Sequence, residues 1–458
     1  MIFLSLLIFA AKLFGGFLLA HLVWGARDAK SMIFKLFLGA GIGIGISSLL
    51  YFLWMWFNLP SNFYPDVELA LFVLLLLVVL KIKPFIKANE IFFPVKLPSG
   101  RSMAGAGLVL MAIAMCIVWF SLAATQNPHG VQDAWTIWNA SARFIYGSPS
   151  NWLKIVPQNA WFHPDYPLLV SLNVSEGWSI VGSDTTRIPI ALALIFILAT
   201  IGLLYAAVAM GKDREQGMLA AIVISSLTVI AGVGATQYAD LPLAYFFLAT
   251  GALLYLYTIR QETGLLILAG LMAGLSGWTK NEGLTFMIIC LLAIFVLSIK
   301  ERRNLVTYLL SGMILPVLVI LLFKTITPPN DLFVNKAQSL QQLFEASRYA
   351  LISSSLVSTL YSFGSWPVSF VLIFAGYALL MRANSTAREG QIWLPVSILL
   401  LQFVCYFVIY LITPLNLANQ LKNSLDRLLF HLLPLTLFSV FVVLLSPSEI
   451  LTEKNDPM

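Results

Sequence analysis

Residues 237–260 read QYADLPLAYFFLATGALLYLYTIR. Between Asp240 and Arg260 this stretch carries no charged side chain, and it is long enough for one helical crossing of a bilayer, which takes about 20 residues. An acid stands at one end, just before Leu-Pro, and a base at the other. The same pattern recurs through the chain. Apolar runs of comparable length lie near 1–24, 32–57, 67–82, 103–125, 187–210, 216–235, 241–259, 264–279, 283–299, 306–324, 355–381, 391–412 and 428–446, thirteen in all. Only helices suit these runs. A helix satisfies its own backbone in hydrocarbon, and the runs lack the short alternation of barrel strands. The expected fold is therefore an all-α polytopic membrane protein with about 13 transmembrane helices and a large non-cytoplasmic first loop.

Composition agrees. Of 458 residues, 59% are hydrophobic and 10% charged, and the mean hydropathy is +0.89. A soluble chain would be about a quarter charged. A soluble enzyme, a disordered tail protein and a secreted disulfide scaffold are excluded. Cys116, Cys290 and Cys405 sit in separate apolar runs with no CxxC pair, as small buried hydrophobes would. The first helix carries only Lys12 and lacks the basic start and cleavage site of a signal peptide, so it reads as retained.

Orientation follows from the Lys/Arg bias. Linkers containing Arg27, Lys83, Lys212, Arg260, Arg302 and Arg382, with the C-terminal tail and adjoining span ends, hold 17 Lys/Arg; the alternate set holds 9 Lys/Arg against 11 Asp/Glu. The basic side is expected to be cytoplasmic, with the N-terminus outside and the C-terminus inside. The net charge of +6 is thus mostly a topology signal, and nucleic acid is not an expected partner.

Two outer linkers are large. Residues 126–186 carry Trp135, Trp138, Trp152, Trp161 and Trp178 with Tyr146 and Tyr166, a density that favours the headgroup layer. Within it, Val131, Trp135, Trp138, Ala142 and Ile145 recur at helical spacing, so 131–146 reads as a helix lying in the interface, although Ile137 and Phe144 blur the stripe. Residues 325–354 hold Pro328, Pro329 and a stretch Val334–Phe344 of similar character. Glu176 and Asp184 read as ordinary loop charges, and His129 as isolated.

The outer face also collects ionisable groups from five separate stretches: Asp133; His163 and Asp165; Asp240; Lys280 and Glu282; Asp426, Arg427 and His431. Charges at membrane edges are costly and point to function. Carboxylates beside cations suit the transfer of a group from a phosphate leaving group. A carboxylate can take a proton from a hydroxyl, while Lys, Arg and His hold a phosphate as charge develops. Plainer readings exist for each. Asp133 could be exposed or help start its helix, and Asp240 before Leu-Pro could cap its helix. His163-Pro-Asp165 could be a turn, Lys280 and Glu282 a solvated pair, and Arg427 a snorkelling anchor. No HExxH-type ligand pair occurs, so no dedicated metal site is expected; a divalent ion between Asp133, Asp240 and a donor phosphate is compatible with the residue types.

The order of motifs is Gln132-Asp133-Ala-Trp, Ala142-Arg-Phe-Ile-Tyr-Gly147, His163-Pro-Asp-Tyr-Pro-Leu168, Tyr238-Ala-Asp240-Leu-Pro and Leu271-Met-Ala-Gly-Leu-Ser-Gly-Trp-Thr-Lys280-Asn-Glu-Gly283. This set resembles the GT-C superfamily of integral-membrane glycosyltransferases, in its bacterial dolichyl-phosphate-mannose mannosyltransferase-like (PMT-like) and RgtA/B/C/D-like branch. The similarity covers roughly 103–300, with a looser match over 400–446 through Arg427, His431 and Leu432-Leu-Pro434. The resemblance implies transfer of a sugar from a polyprenyl-phosphate carrier to a hydroxyl on a lipid, glycan or protein at the non-cytoplasmic face, usually with inversion. It maps the family's first-loop acid, the base, onto Asp133, its second acid onto Asp240 and its phosphate-contacting Lys onto Lys280. The chain departs where His163-Pro-Asp-Tyr-Pro-Leu168 replaces a Pro-Pro-Leu, where one acid rather than Asp-Glu opens the first loop, and in having three extra helices before the helix that usually opens the fold.

The expected arrangement is accessory helices over 1–102, a catalytic core over 103–325 with outer loop 126–186, and helices over 326–458 closing the donor site. Asp133 is expected as base. Lys280, Arg427 and His431 are expected to hold the donor phosphate, and His163, Asp165, Tyr166, Asp240 and Glu282 to contact sugar and acceptor. No cofactor beyond a divalent ion is in view. The expected location is a bacterial inner or plasma membrane. Two rival classes share the outer face: a ligase or polymerase of lipid-linked glycans, and a non-enzymatic transporter or flippase. The transporter reading expects paired pseudo-symmetric halves, and the loop 126–186 has no counterpart later in the chain.

Overall fold

A computed structural model describes residues 2–82, 100–156, 163–329, 336–364, 368–382 and 389–453. Lys83, Trp161 and Val334, all used in reading the sequence, lie outside those residues.

The described elements are helices. The first group is α1 (Ile2–Val23), α2 (Ala29–Trp56), α3 (Tyr64–Ile82), α4 (Gly100–Gln126), α5 (Asn139–Gly147), α6 (Trp152–Ile155) and α7 (Leu169–Val181). There follow α8 (Arg187–Gly211), α9 (Arg214–Ser226), α10 (Thr228–Thr236), α11 (Asp240–Arg260), α12 (Thr263–Thr279), α13 (Asn281–Glu301) and α14 (Leu305–Lys324). The last are α15 (Lys336–Gln342), α16 (Ala346–Ser362), α17 (Phe370–Met381), α18 (Glu389–Ile412), α19 (Leu417–Val443) and α20 (Pro447–Glu453). Among the described residues nine helices are long and apolar enough to cross a membrane, and α9 with α10, bent by 58° at their break, meet the same test only as a pair. The remaining apolar runs fall on the Phe9–Val23 part of α1, on α12 (Thr263–Thr279) and on α17 (Phe370–Met381). The run 355–381 is not one helix, since α16 ends at Ser362 and α17 begins at Phe370.

The stretch that opens the sequence argument is the centre of the bundle. From Asp240 through Tyr257 every residue of α11 is buried, and α2, α8, α12, α18 and α19 pack around it. A helix apolar on all sides belongs in such a place. By contrast, α3 and α4 turn Leu69, Leu74, Leu77, Leu108, Leu110 and Leu122 outward, as helices facing lipid do. Close backbone approach helps hold the bundle where lipid gives no hydrophobic drive. A Cβ on Gly270 of α12 would collide with the carbonyl oxygen of Leu309 on α14, and one on Gly312 with that of Ile267.

Residues 126–186 are more than a loop. They contain α5, α6 and α7, and α7 is buried from Leu169 to Trp178, against α2 and α8. The helix expected over 131–146 is present as a wide turn at Ala134–Trp138 followed by α5. The headgroup reading of its tryptophans needs correction. Trp138, Trp152 and Trp178 are each 1% exposed, whereas Trp135 is 54% exposed. The buried rings fill the seam beneath α5–α7, and two of them find acceptors: the Trp152 Nε1–H donates to Met55 O (3.3 Å) and the Trp178 Nε1–H to Thr185 O (2.8 Å). Glu176 is likewise no loop charge. It lies inside α7 and accepts a hydrogen bond of 2.6 Å from Lys12. Asp184 does stay exposed and pairs with Arg143 at 3.3 Å, and the same Arg143 reaches His129, which is therefore not isolated.

Candidate functional site

Asp240 is the first residue of α11 and is fully buried. It does not cap the helix; the cap residue is Ala239, with no side-chain bond. Its carboxylate is instead the focus of three donors. Lys280 Nζ lies 2.9 Å from Oδ1 and His431 Nε2 2.6 Å from the same oxygen. Arg427 grips Oδ2 through Nη2 (2.9 Å) and Nε (3.2 Å). The third guanidinium nitrogen, Nη1, donates to Asp133 Oδ2 at 2.8 Å. One planar fork thus bridges two carboxylates from residues 107 positions apart in sequence. Lys280 also pairs with Glu282 at 2.9 Å, and Tyr406 Oη lies 3.1 Å from His431 Nδ1.

Local structure explains how each group arrives. The first loop is stitched to the α10–α11 connection. Val131 N–H donates to Thr236 O, the Asn139 amide to Gln237 Oε1 (2.8 Å), the Gln237 amide to Pro128 O (3.0 Å) and Asp133 N–H to Tyr238 Oη (3.1 Å). These bonds set Asp133 beside the head of α11. Lys280 is extended (φ −160°, ψ 156°) between α12 and α13. The chain reverses there so closely that a Cβ on Gly283 would strike the Ser276 carbonyl. Arg427 and His431 stand four residues apart on α19 and therefore share a face.

Beside this network lies a second group. Asp165 Oδ2 accepts from the Asn281 amide at 2.6 Å, and Lys324 Nζ donates to Asp165 O (2.6 Å) and Asn281 Oδ1 (3.0 Å). His163 has a left-handed backbone (φ 47°) and stacks on Tyr166 at 4.6 Å, which stacks on Trp138 at 5.6 Å. Burial, together with nearby Glu282, holds the Tyr166 phenol well above its ordinary range, so it is neutral. Burial also raises Tyr238, whose ring lies 4.6 Å from the Arg427 guanidinium carbon.

Six of the nine residues expected from sequence, namely Asp133, Asp240, Lys280, Glu282, Arg427 and His431, therefore form one network. Asp165 joins its edge through Asn281, while Tyr166 and His163 form a separate aromatic wall. Lys280 and Glu282 are no solvated pair: their side chains are 4% and 17% exposed. Arg427 is no snorkelling anchor, since it is committed to two acids. The sequence reading missed Tyr238, Asn281, Lys324 and Tyr406. Tyr238 and Asn281 stand inside quoted motifs, and Lys324 ends an apolar run. Nothing marks Tyr406 in the sequence. Where a divalent ion would bridge Asp133 and Asp240, the Arg427 fork sits instead, and no group of three His, Cys, Asp or Glu among the described residues could hold a metal.

A family model described as dolichyl-phosphate-mannose-protein mannosyltransferase matches residues 165–326. This interval holds Asp165, Tyr166, Asp240, Lys280, Asn281, Glu282 and Lys324, but not Asp133, Arg427 or His431, which reach the same network from outside it. No curated protein and no solved structure matches the chain. Carried on an all-helical bundle with long apolar spans, the match supports the chain as an integral-membrane glycosyltransferase of the GT-C superfamily.

Proposed function

We propose that the chain moves a single sugar from a polyprenyl-phosphate carrier to a hydroxyl of a lipid, glycan or protein acceptor, at the non-cytoplasmic face. The observation that carries this reading is the shared fork of Arg427, held between buried Asp240 and more exposed Asp133.

The charges suggest the course of the reaction. Asp133, Asp240 and Glu282 face Lys280 and Arg427, so each resting cation already has a carboxylate. A donor phosphodiester brings a further negative charge. It competes for Arg427 Nη1 and Lys280, and Arg427 lets go of Asp133. The freed Asp133 carboxylate takes the proton of the acceptor hydroxyl. The acceptor oxygen bonds to the anomeric carbon as the bond from that carbon to the phosphate oxygen breaks. The electron pair leaves on the polyprenyl phosphate, whose added charge Arg427 and Lys280 hold, with His431 beside them. One displacement inverts the sugar configuration. Asp240, expected from sequence to touch sugar, is 0% exposed and acts as a positioning residue for the three donors around it. His163 and Tyr166, the latter backed by buried Trp138, offer the sugar an aromatic wall, with Asp165 and Glu282 at its edge.

A purified-enzyme transfer assay with defined prenyl-phosphate sugars tests this. Asp133→Asn keeps a hydrogen-bond partner for Arg427 but removes the base. Transfer should fall by about 10²–10⁴ with donor binding retained. Wild-type transfer in the folded variant would remove Asp133 from the chemistry.

A further inference from the structure

A second buried charge cluster lies apart from the network above, where α1, α2 and α3 meet α7. Lys12 of α1 is 0% exposed, Glu176 of α7 is 1% exposed and Glu68 of α3 is 6% exposed. Lys12 Nζ donates to Glu176 Oε2 (2.6 Å) and Asn173 Oδ1 (3.1 Å), and Ser47 Oγ–H of α2 donates to Glu176 Oε2 at 3.1 Å. The other groups facing the pair are Tyr51 of α2, Tyr64 of α3, which donates to Ser47 O at 2.9 Å, and Ser175 of α7. Two acids thus share one cation. The remaining oxygen of Glu176, Oε1, and Glu68 Oε1 are both buried without any N–H or O–H donor, and Glu68 stands one turn beyond Tyr64 on the buried face of α3, where Tyr64 reaches Ser47, the residue that also donates to Glu176.

Helix α3 makes the cluster informative. It turns its leucines outward and buries Tyr64, Glu68 and Val79, so its acid, not its apolar face, meets the bundle. Two ionised carboxylates with one lysine would leave an uncompensated buried charge beside lipid, a costly state. A proton on one of the two carboxyls removes that charge and supplies the donor that their free oxygens lack.

We propose that Glu68 and Glu176 hold a single proton between them, and that this proton, with Lys12, latches helix α3 to helix α7. The latch makes the N-terminal helices a proton-sensitive support for α7, which begins directly after the His163–Leu168 turn. Glu176 agrees in direction, since burial raises its carboxyl from 4.5 to about 8. With the folded value raised, the proton's contribution to stability is complete below pH 4.5. It declines as pH rises, and is gone above about pH 8.

Infrared spectroscopy of the purified full chain tests the proton without reference to catalysis. The carbonyl stretch of a protonated carboxylic acid should be present at neutral pH and fade as pH passes about 8. Glu68→Gln, whose amide can donate to Glu176 as the shared proton does, should lack the band and lose the fall in Tm between pH 4.5 and about 8. Absence of the band in the wild-type protein at neutral pH would overturn the proposal. So would a Glu68→Gln protein that keeps the band, or that keeps the wild-type pH dependence of Tm. Should Glu68→Gln fail to fold, the wild-type titration alone decides.

Discussion

Replacing Arg427 with Ala tests the proposed site at its most connected point. Three hydrogen bonds to two carboxylates vanish: 2.9 and 3.2 Å to Asp240 and 2.8 Å to Asp133. Charge-assisted bonds contribute about 1.5–3 kcal/mol each, but they do not sum in a network. Asp240 keeps Lys280 and His431, so it is not left bare. Arg427 and Asp133 are 21% and 28% exposed, and water takes over part of their loss. The stability cost should therefore sit near the lower end of the range for breaking a buried pair, about 3 kcal/mol. The effect on transfer should be larger than this implies for folding, because the fork also meets the leaving phosphate. Loss of one preorganised donor to developing charge lowers kcat by about 10²–10³. Arg427→Lys keeps the charge but has no fork, so it should restore folding better than transfer. Thermal unfolding in detergent and a prenyl-phosphate sugar transfer assay measure the two effects separately. A folded Arg427→Ala enzyme with wild-type kcat/KM would refute the reasoning, and so would Arg427→Lys at full rate.

Lys280→Ala should weaken donor binding by roughly 10–100-fold, the worth of one charge-assisted contact of about 1.5–3 kcal/mol, and a donor titration reads it directly; unchanged affinity would leave Lys280 a purely structural partner of Asp240. Gly283→Ala places a methyl against the Ser276 carbonyl, so it should lower stability by about 1–3 kcal/mol and displace Lys280, measured as a lower Tm together with weakened donor binding.

Much of the plan was legible because hydrocarbon imposes a simple rule on chain segments. Among the described residues each of the thirteen runs meets helix, although 216–235 and 355–381 are each divided between two, and the motif residues Asp133, Asp240, Lys280, Glu282, Arg427 and His431 meet. They stand near the ends of runs, where side of the membrane reduces three dimensions to two. What stayed hidden has a common cause. A membrane helix that is apolar all round gives no contrast between a lipid face and a packed face, so neither the burial of α11 nor the exposure of α3 could be read from periodicity. The partner of an isolated polar residue was equally invisible. Lys12 and Glu176 are 164 residues apart, and each alone looks like a stray charge. The tryptophans of 126–186 misled because aromatic density suits both a headgroup layer and a helical seam, and only the docking of α7 on α2 separates the two.

The exposures of the two acids on Arg427 bear on which of them yields to a substrate. A phosphate site built in advance from unpaired cations would leave several uncompensated charges at the edge of the hydrocarbon, which is costly for a helix bundle. Internal carboxylates remove that cost, and they also occupy the site, so a donor must compete with one of them. Asp240 is 0% exposed and held by three side chains. Releasing it would strand an ion with no water to receive it. Asp133 is 28% exposed and held by one side-chain donor, so water and the acceptor hydroxyl can take over its oxygens. In the proposed cycle the same exchange that seats the phosphate therefore uncovers the base. An Asp240→Asn variant separates the two roles: it should loosen Lys280, Arg427 and His431 together and weaken donor binding, whereas Asp133→Asn should leave donor binding intact and stop the proton transfer.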